Sequence, residues 1–204
     1  MPIESSCTPL KNIVLTAAAV RRLPLTAIAA EFRAQVDAFG NALGRMPAFI
    51  DGHQHVHALP GVRDVVLDAV AAWPAPAAVR NTGRVRGPGA PLKRLIIEAS
   101  GGRALQRSLL ARGIAHNSVL LGAYDFAIAD YRALVQGWLA AAPRGGGLLF
   151  CHPCAGAADS ANDAIAAARR READYLGSAA FAEDLVAADV KVGPAWATQS
   201  SSDG

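Results

Sequence analysis

The chain is poor in the features that announce most protein classes. It has only 3 cysteines in 204 residues, Cys7, Cys151 and Cys154. That number is too small and too odd for a disulfide framework, and it suits a reducing compartment. Charged residues make up 18% and hydrophobic ones 52%, which excludes a disordered chain. No apolar run reaches the length of a membrane-spanning helix. The first residues, MPIESSCTPLKNIVLTAAAVRR, carry an acid early and arginines late, the wrong order for a secretory signal. A cytoplasmic protein is expected. The net charge of +3 is spread without a basic block interleaved with aromatics, so no nucleic-acid partner is expected. The short cluster Arg169, Arg170 and Arg171 reads as the solvated face of a helix. There is no G-x-S-x-G elbow, and no glycine-rich phosphate loop follows a strand.

What the chain does have is alternation of two periods. Ile28, Phe32, Val36, Phe39 and Leu43 recur every three or four residues, with Thr26 as a candidate N-cap and Gly44 as a stop. AFIDGH then reads as a buried strand, and Pro60 and Gly61 open a helix with Val62, Val65, Val66, Ala69, Val70 and Trp73 inward. Further strands are expected at PAAVR, SVLLG (118–122), GLLFCH (147–152) and, shortest, VKV (190–192). Helices are expected at 92–112, broken by Gly101-Gly102, and at 128–142, 162–176 and 179–188. Strands alternating with helices indicate an α/β fold built from parallel βα units. Residues 1–24 read as an irregular lead-in, 25–193 as one domain and 194–204 as a frayed tail.

Polar residues gather where these strands end. The first expected strand ends in FIDGHQHVH, with Asp51, His53, His55 and His57 at alternate positions. The second ends in Arg80, the third leads into Tyr124 and Asp125, and the fourth ends in His152. Parallel strands bring all of these to one rim, the end where α/β folds place their chemistry. If the strand continues, Asp51, His53 and His55 share a face, with successive Cα atoms roughly 6.5–7 Å apart. Two imidazoles at that spacing can reach one metal; His57 already falls into the loop. The pattern indicates a metal or acid–base site: His53 and His55 as ligands, Asp51 as an acid–base carboxylate, His57 as a substrate contact. Ligand type alone does not fix the ion. His152 is a general acid or a substrate contact. Arg80 orients an acidic group or forms a surface ion pair. Tyr124 and Asp125 line a substrate pocket, or Tyr124 simply packs. His116 lies at the amino end of a strand and reads as structural. Cys151 and Cys154 form a C-x-x-C without a second pair, and Cys151 reads as core.

FIDGHQHVHALPGVRD closely resembles the histidine-rich signature of the YdjC-like carbohydrate deacetylases, also called the ChbG/HpnK family. LLGAYDF, GGLLFCHP and a basic helix with RREADYL follow in the family's order, so the resemblance covers about residues 26–193. It implies a distorted (β/α) barrel. It also implies a divalent metal, magnesium or zinc, and removal of acetyl groups from N-acetylated amino sugars or a related glycolipid. One of the family's metal histidines corresponds to His53. The remaining ligands and the base belong to an Asp-Asp-Phe-Gly and a Gly-x-His-x-x-Leu motif that this chain lacks. Four or five expected strands, against about eight in a closed barrel, agree with an incomplete barrel that begins inside the family's length. The expectation is a metal-dependent deacetylase, inactive as given if those groups are absent. The alternative is a non-catalytic remnant that binds a metal or a partner, and exposed strand edges would favour a homo-oligomer. A metal-dependent phosphoesterase is disfavoured by the lack of further carboxylates.

Overall fold

In the computed structural model, residues 23–144, 146–156, 163–194 and 196 are described. The lead-in and tail therefore lie almost wholly outside the described residues. Helix α1 (Leu25–Leu43) ends at Gly44, whose φ of 64° is a left-handed stop and whose N–H reaches Gly40 O at 2.8 Å. It begins at Leu25 behind Pro24, so Thr26 is not the cap. Strand β1 (Phe49–Ile50) pairs in parallel with β2 (Ala78–Val79), and β3 (Leu120–Leu121) with β4 (Leu148–Leu149). Helix α2 (Val62–Ala71) joins β1 to β2. Between β2 and β3 run α3 (Pro91–Ile97), a wide turn (Glu98–Gly102) and α4 (Arg103–Ala111). Helix α5 (Tyr131–Ala141) joins β3 to β4, and α6 (Ala166–Leu176) and α7 (Ala179–Ala187) follow.

The two strand pairs are neighbours in chain order. Val79 N–H reaches Ala115 O at 2.9 Å, and residues 84–86 bond to Leu120 on both sides, with Val85 and Leu120 in parallel register. Between these contacts two buried amides interrupt the ladder. Asn81 N–H donates to Asn117 Oδ1 at 2.7 Å, and Asn117 Nδ2 donates back to Asn81 O at 2.9 Å. Side chains here replace main-chain pairing, which is why β2 and β3 are short and the sheet divides. The described strands form an α/β arrangement of parallel pairs and no closed barrel. VKV is not a strand: Val192 is 77% exposed and the segment has no ladder among the described residues.

Two apolar clusters flank the strands. Val66, Leu67 and Val70 of α2 pack with Val79, Leu105, Leu109 and Ile114. Tyr131, Leu134, Val135 and Trp138 of α5 pack with Leu121 and Tyr124. Leu120 points the other way, onto Val85, Ile97 and Ala123, as strand alternation requires. Gly101, at φ 135°, lets the wide turn press on the loop after β1, because a Cβ there would collide with Ala58 O. Asp184 of α7 ties the last helices to α5: it accepts two bonds from Arg132 at 2.8 Å each and one from Tyr175 at 2.7 Å.

Leu67 is fully buried and Leu92 is 69% exposed. Leu67→Ala is expected to lower unfolding free energy by about 2–5 kcal/mol, and Leu92→Ala by less than about 0.5 kcal/mol, both read from urea titrations.

Candidate functional site

The histidine run does not continue β1. The strand stops at Ile50, and residues His53–Ala58 wind into a tight 3-10 stretch. Gln54 and His55 sit at φ 51° and 64°, a left-handed pair that costs a non-glycine chain about 1–2 kcal/mol per residue. The pleat is therefore lost, and the expected shared face with it. His53 is exposed, His55 is partly covered and His57 is 1% exposed.

Arg80 explains the winding. Arg80 is 5% exposed, with its Nη2 at 2.7 Å from Asp51 Oδ1 and donating to Gly52 O at 2.9 Å. Its carbonyl accepts a hydrogen bond from His57 Nε2 at 2.8 Å, while Gly52 N–H donates to His57 Nδ1 at 3.1 Å. These partners make His57 a neutral Nε2–H tautomer. Burial first, and then the Arg80 charge, hold its pKa down to about 4. Gly52 must lack a side chain, since a Cβ would stand 2.6 Å from His57 Nδ1. Arg80 is thus a buried clamp rather than a surface ion pair. His57 is its brace, with no ring nitrogen left for a substrate, which corrects the expectation for that residue. Asp51 has its carboxyl pushed up by burial, against the opposing pull of Arg80 and then His53.

Phe150, just past β4, gathers the rest. The Arg80 guanidinium lies 5.7 Å from its ring centre, and His55 and His152 approach it edge-on at 5.8 and 5.6 Å. His55 Nδ1 is buried with no hydrogen-bond partner among the described residues. Burial, followed by the charge of Arg80, holds its pKa well below the ordinary value. Lys93 Nζ sits 4.5 Å over the Phe126 ring and donates to Tyr124 O at 3.3 Å, and Phe126 meets His152 at 5.2 Å. The ends of β1, β2 and β4 therefore share one mouth.

Tyr124 and Asp125 do not line it as expected. Tyr124 is 2% exposed, and its hydroxyl donates to Glu172 Oε1 at 2.5 Å; burial and then Glu172 push its pKa up. Asp125 is exposed and accepts the Ala127 N–H at 3.0 Å, which closes a turn. Cys151 is exposed rather than core. The arginine cluster is not merely solvated either, since Arg171 donates to Phe126 O at 2.7 Å. Phe150, Lys93 and Glu172 escaped the sequence reading. The only hint was a lone glutamate in the basic stretch RREADYL.

Among the described residues, no three His, Cys, Asp or Glu side chains come together as a metal-binding set. His53 is exposed and His55 lies against Phe150. A catalytic zinc uses three protein ligands, so the residues present do not complete a site for the expected magnesium or zinc. A concavity of about 580 Å³ lies elsewhere. It lies between Trp73, Pro76, Leu109 and His116 at the amino ends of β2 and β3, where His116 Nδ1 donates to Ile114 O at 2.7 Å. No helix among the described residues is long and apolar enough to cross a membrane.

The depressed His57 makes stability pH-dependent. Above its ordinary value of 6.5, both folded and unfolded forms are neutral. Below it, the unfolded chain takes up the proton while the folded chain resists until about 4. Stability should therefore fall by about 2 kcal/mol between pH 7 and pH 5 from this group alone. Urea unfolding at both pH values is expected to show that loss, and a shallower one in His57→Gln; equal slopes would contradict it.

A sequence model of the family described as YdjC-like protein matches residues 8–187. A carbohydrate deacetylase of Danio rerio is 52% identical over 50 residues, 24% of this chain and 16% of that protein. The carbohydrate deacetylase of Mus musculus is 51% identical over 43 residues, 21% of this chain and 14% of that protein. The carbohydrate deacetylase of Homo sapiens is 44% identical over 57 residues, 28% of this chain and 18% of that protein. The matched stretches span less than a fifth of each relative's length. No solved structure matches the chain significantly. With the family match extending over most of its length, the chain belongs to the YdjC-like protein family.

Proposed function

We propose that the chain takes part in removing acetyl groups from N-acetylated amino sugars or a related glycolipid, on an arc of a distorted (β/α) barrel. One observation carries this reading: Arg80, His55 and His152 converge on the Phe150 ring at the carboxyl ends of three parallel strands. The similarity to proteins of Danio rerio, Mus musculus and Homo sapiens that are each named carbohydrate deacetylase supports it.

Hydrolysis of an acetamide adds a water oxygen to the acyl carbon, breaks the C–N bond and moves a proton to the nitrogen. Acetate and a free amine result. His152, partly exposed at the mouth, is suited to deliver that proton. Asp51, its carboxyl pushed up by burial, is suited to take one from water. Phe126 and Phe150 offer ring faces or edges against which a sugar ring can lie. His55 is held neutral at the edge of the mouth, its Nδ1 buried and without a hydrogen-bond partner among the described residues. A magnesium or zinc ion belongs to the proposal only through His53 and His55, one short of the three protein ligands a catalytic zinc uses. That shortfall favours a second reading, a non-catalytic chain that binds a metal or a partner, including a second copy of itself.

Acetate release from N-acetylglucosamine oligomers, measured with and without EDTA, separates the two. The deacetylase reading expects release by the unaltered protein and a fall of roughly 100-fold or more in His152→Ala. No release would favour the non-catalytic reading, and release that survives EDTA would remove the metal from the proposal.

A further inference from the structure

The mechanism above leaves one buried charge unused. Glu172, on α6, is 0% exposed. A carboxylate removed from water must be held by several donors or it destabilises the fold. Its Oε1 accepts the Tyr124 hydroxyl at 2.5 Å, and its Oε2 accepts the backbone N–H of His152. Oε1 also lies 3.8 Å from His152 Nδ1. That is too long for a hydrogen bond, yet it sets a carboxylate beside a ring nitrogen that is buried and without a hydrogen-bond partner among the described residues. Burial pushes the Glu172 carboxyl up, but its contacts with His152 and Tyr124 outweigh this and hold it below the ordinary range.

The position of this carboxylate is over-determined. Tyr124 cannot swing away, because Phe126, Tyr131 and Trp138 surround its ring at 4.9, 5.6 and 5.7 Å. The neighbouring Arg171 anchors α6 to the loop after β3 through Phe126 O at 2.7 Å and Ile128 O at 3.3 Å. One turn earlier, the Arg169 carbonyl takes the Cys154 N–H at 3.1 Å. Helix α6 therefore grips the exits of both β3 and β4, and it presents Glu172 between them. Purely structural buried carboxylates need donors; this one is also aimed at the imidazole that the proposed reaction uses.

We propose that Glu172, pinned by Tyr124, is a positioning residue for His152: it takes the Nδ1–H side of the imidazole and leaves Nε2 facing the mouth. A carboxylate behind a histidine fixes the tautomer and steadies the imidazolium, as in hydrolase triads and metal-histidine pairs. The inference rests on the deacetylase reading for its consequence in catalysis, but not for its geometry.

Nitrogen-15 NMR of the whole chain at mildly alkaline pH reads the tautomer directly. The unaltered protein is expected to show His152 as the Nδ1–H form, and Glu172→Gln to shift it toward Nε2–H. An Nε2–H imidazole in the unaltered protein, or a tautomer indifferent to Glu172→Gln, would overturn the proposal. If the variant does not fold, the unaltered protein's tautomer decides alone. Where acetate release is observed, Glu172→Gln should lower kcat roughly 10–100-fold with KM little changed. A loss in KM alone would overturn the catalytic consequence. If the unaltered protein releases no acetate, the deacetylase reading fails while the tautomer result still stands or falls by itself.

Discussion

A single buried guanidinium organises the mouth of this protein. Arg80 ends β2 with its side chain between Asp51 and the Gly52 carbonyl, and its own carbonyl holds the ring of His57. Removing such a cation from water is costly unless its donors are met. Here the loop after β1 meets Nη2 with the Asp51 carboxylate and the Gly52 carbonyl by leaving the strand and winding back, while Nε is buried without a partner among the described residues. That winding places Gln54 and His55 in the left-handed region and closes Gly52 against His57. The strain and the clamp are two sides of one arrangement, and His55 is carried to Phe150 as a consequence.

The two halves of the molecule meet at this mouth but are held by different means. On the α2 side the packing is aliphatic, with Leu67, Leu105 and Leu109 fully buried. On the α5 side it is aromatic and hydrogen-bonded, with Trp138 fully buried and donating to Pro88 O at 2.9 Å. Between them the Asn81–Asn117 amide pair does the work of a strand ladder. A reciprocal amide pair is directional, so it fixes the register of the second strand pair relative to the first. The carboxyl ends of β2 and β4 can then share Phe150.

Much of this was legible from residue pattern. The helix stripe of α1 and its glycine stop, the break at Gly101-Gly102 and the order of strands and helices follow from periodicity and turn chemistry. The gathering of polar residues at strand ends follows from parallel topology. What pattern did not show is how far a strand runs. Alternation in D-x-H-x-H-x-H mimics a strand, but Arg80, which overrides it, comes 23 residues after His57. Glu172 was hidden for the same reason: its partners Tyr124 and His152 lie 48 and 20 residues away. In RREADYL it looks like one more charge on a solvated helix. Contacts made across the fold leave no local signature.

The clamp makes a direct claim about local stability. Native-state hydrogen exchange at the amides of Gly52, His55 and Leu59, which bond within the wound loop, should be compared between the unaltered protein and Arg80→Met. If the guanidinium holds the loop, exchange there should rise about tenfold or more, the loss expected when a charged hydrogen bond is removed, while amides of α5 stay protected. Unchanged protection at those three amides would contradict the account.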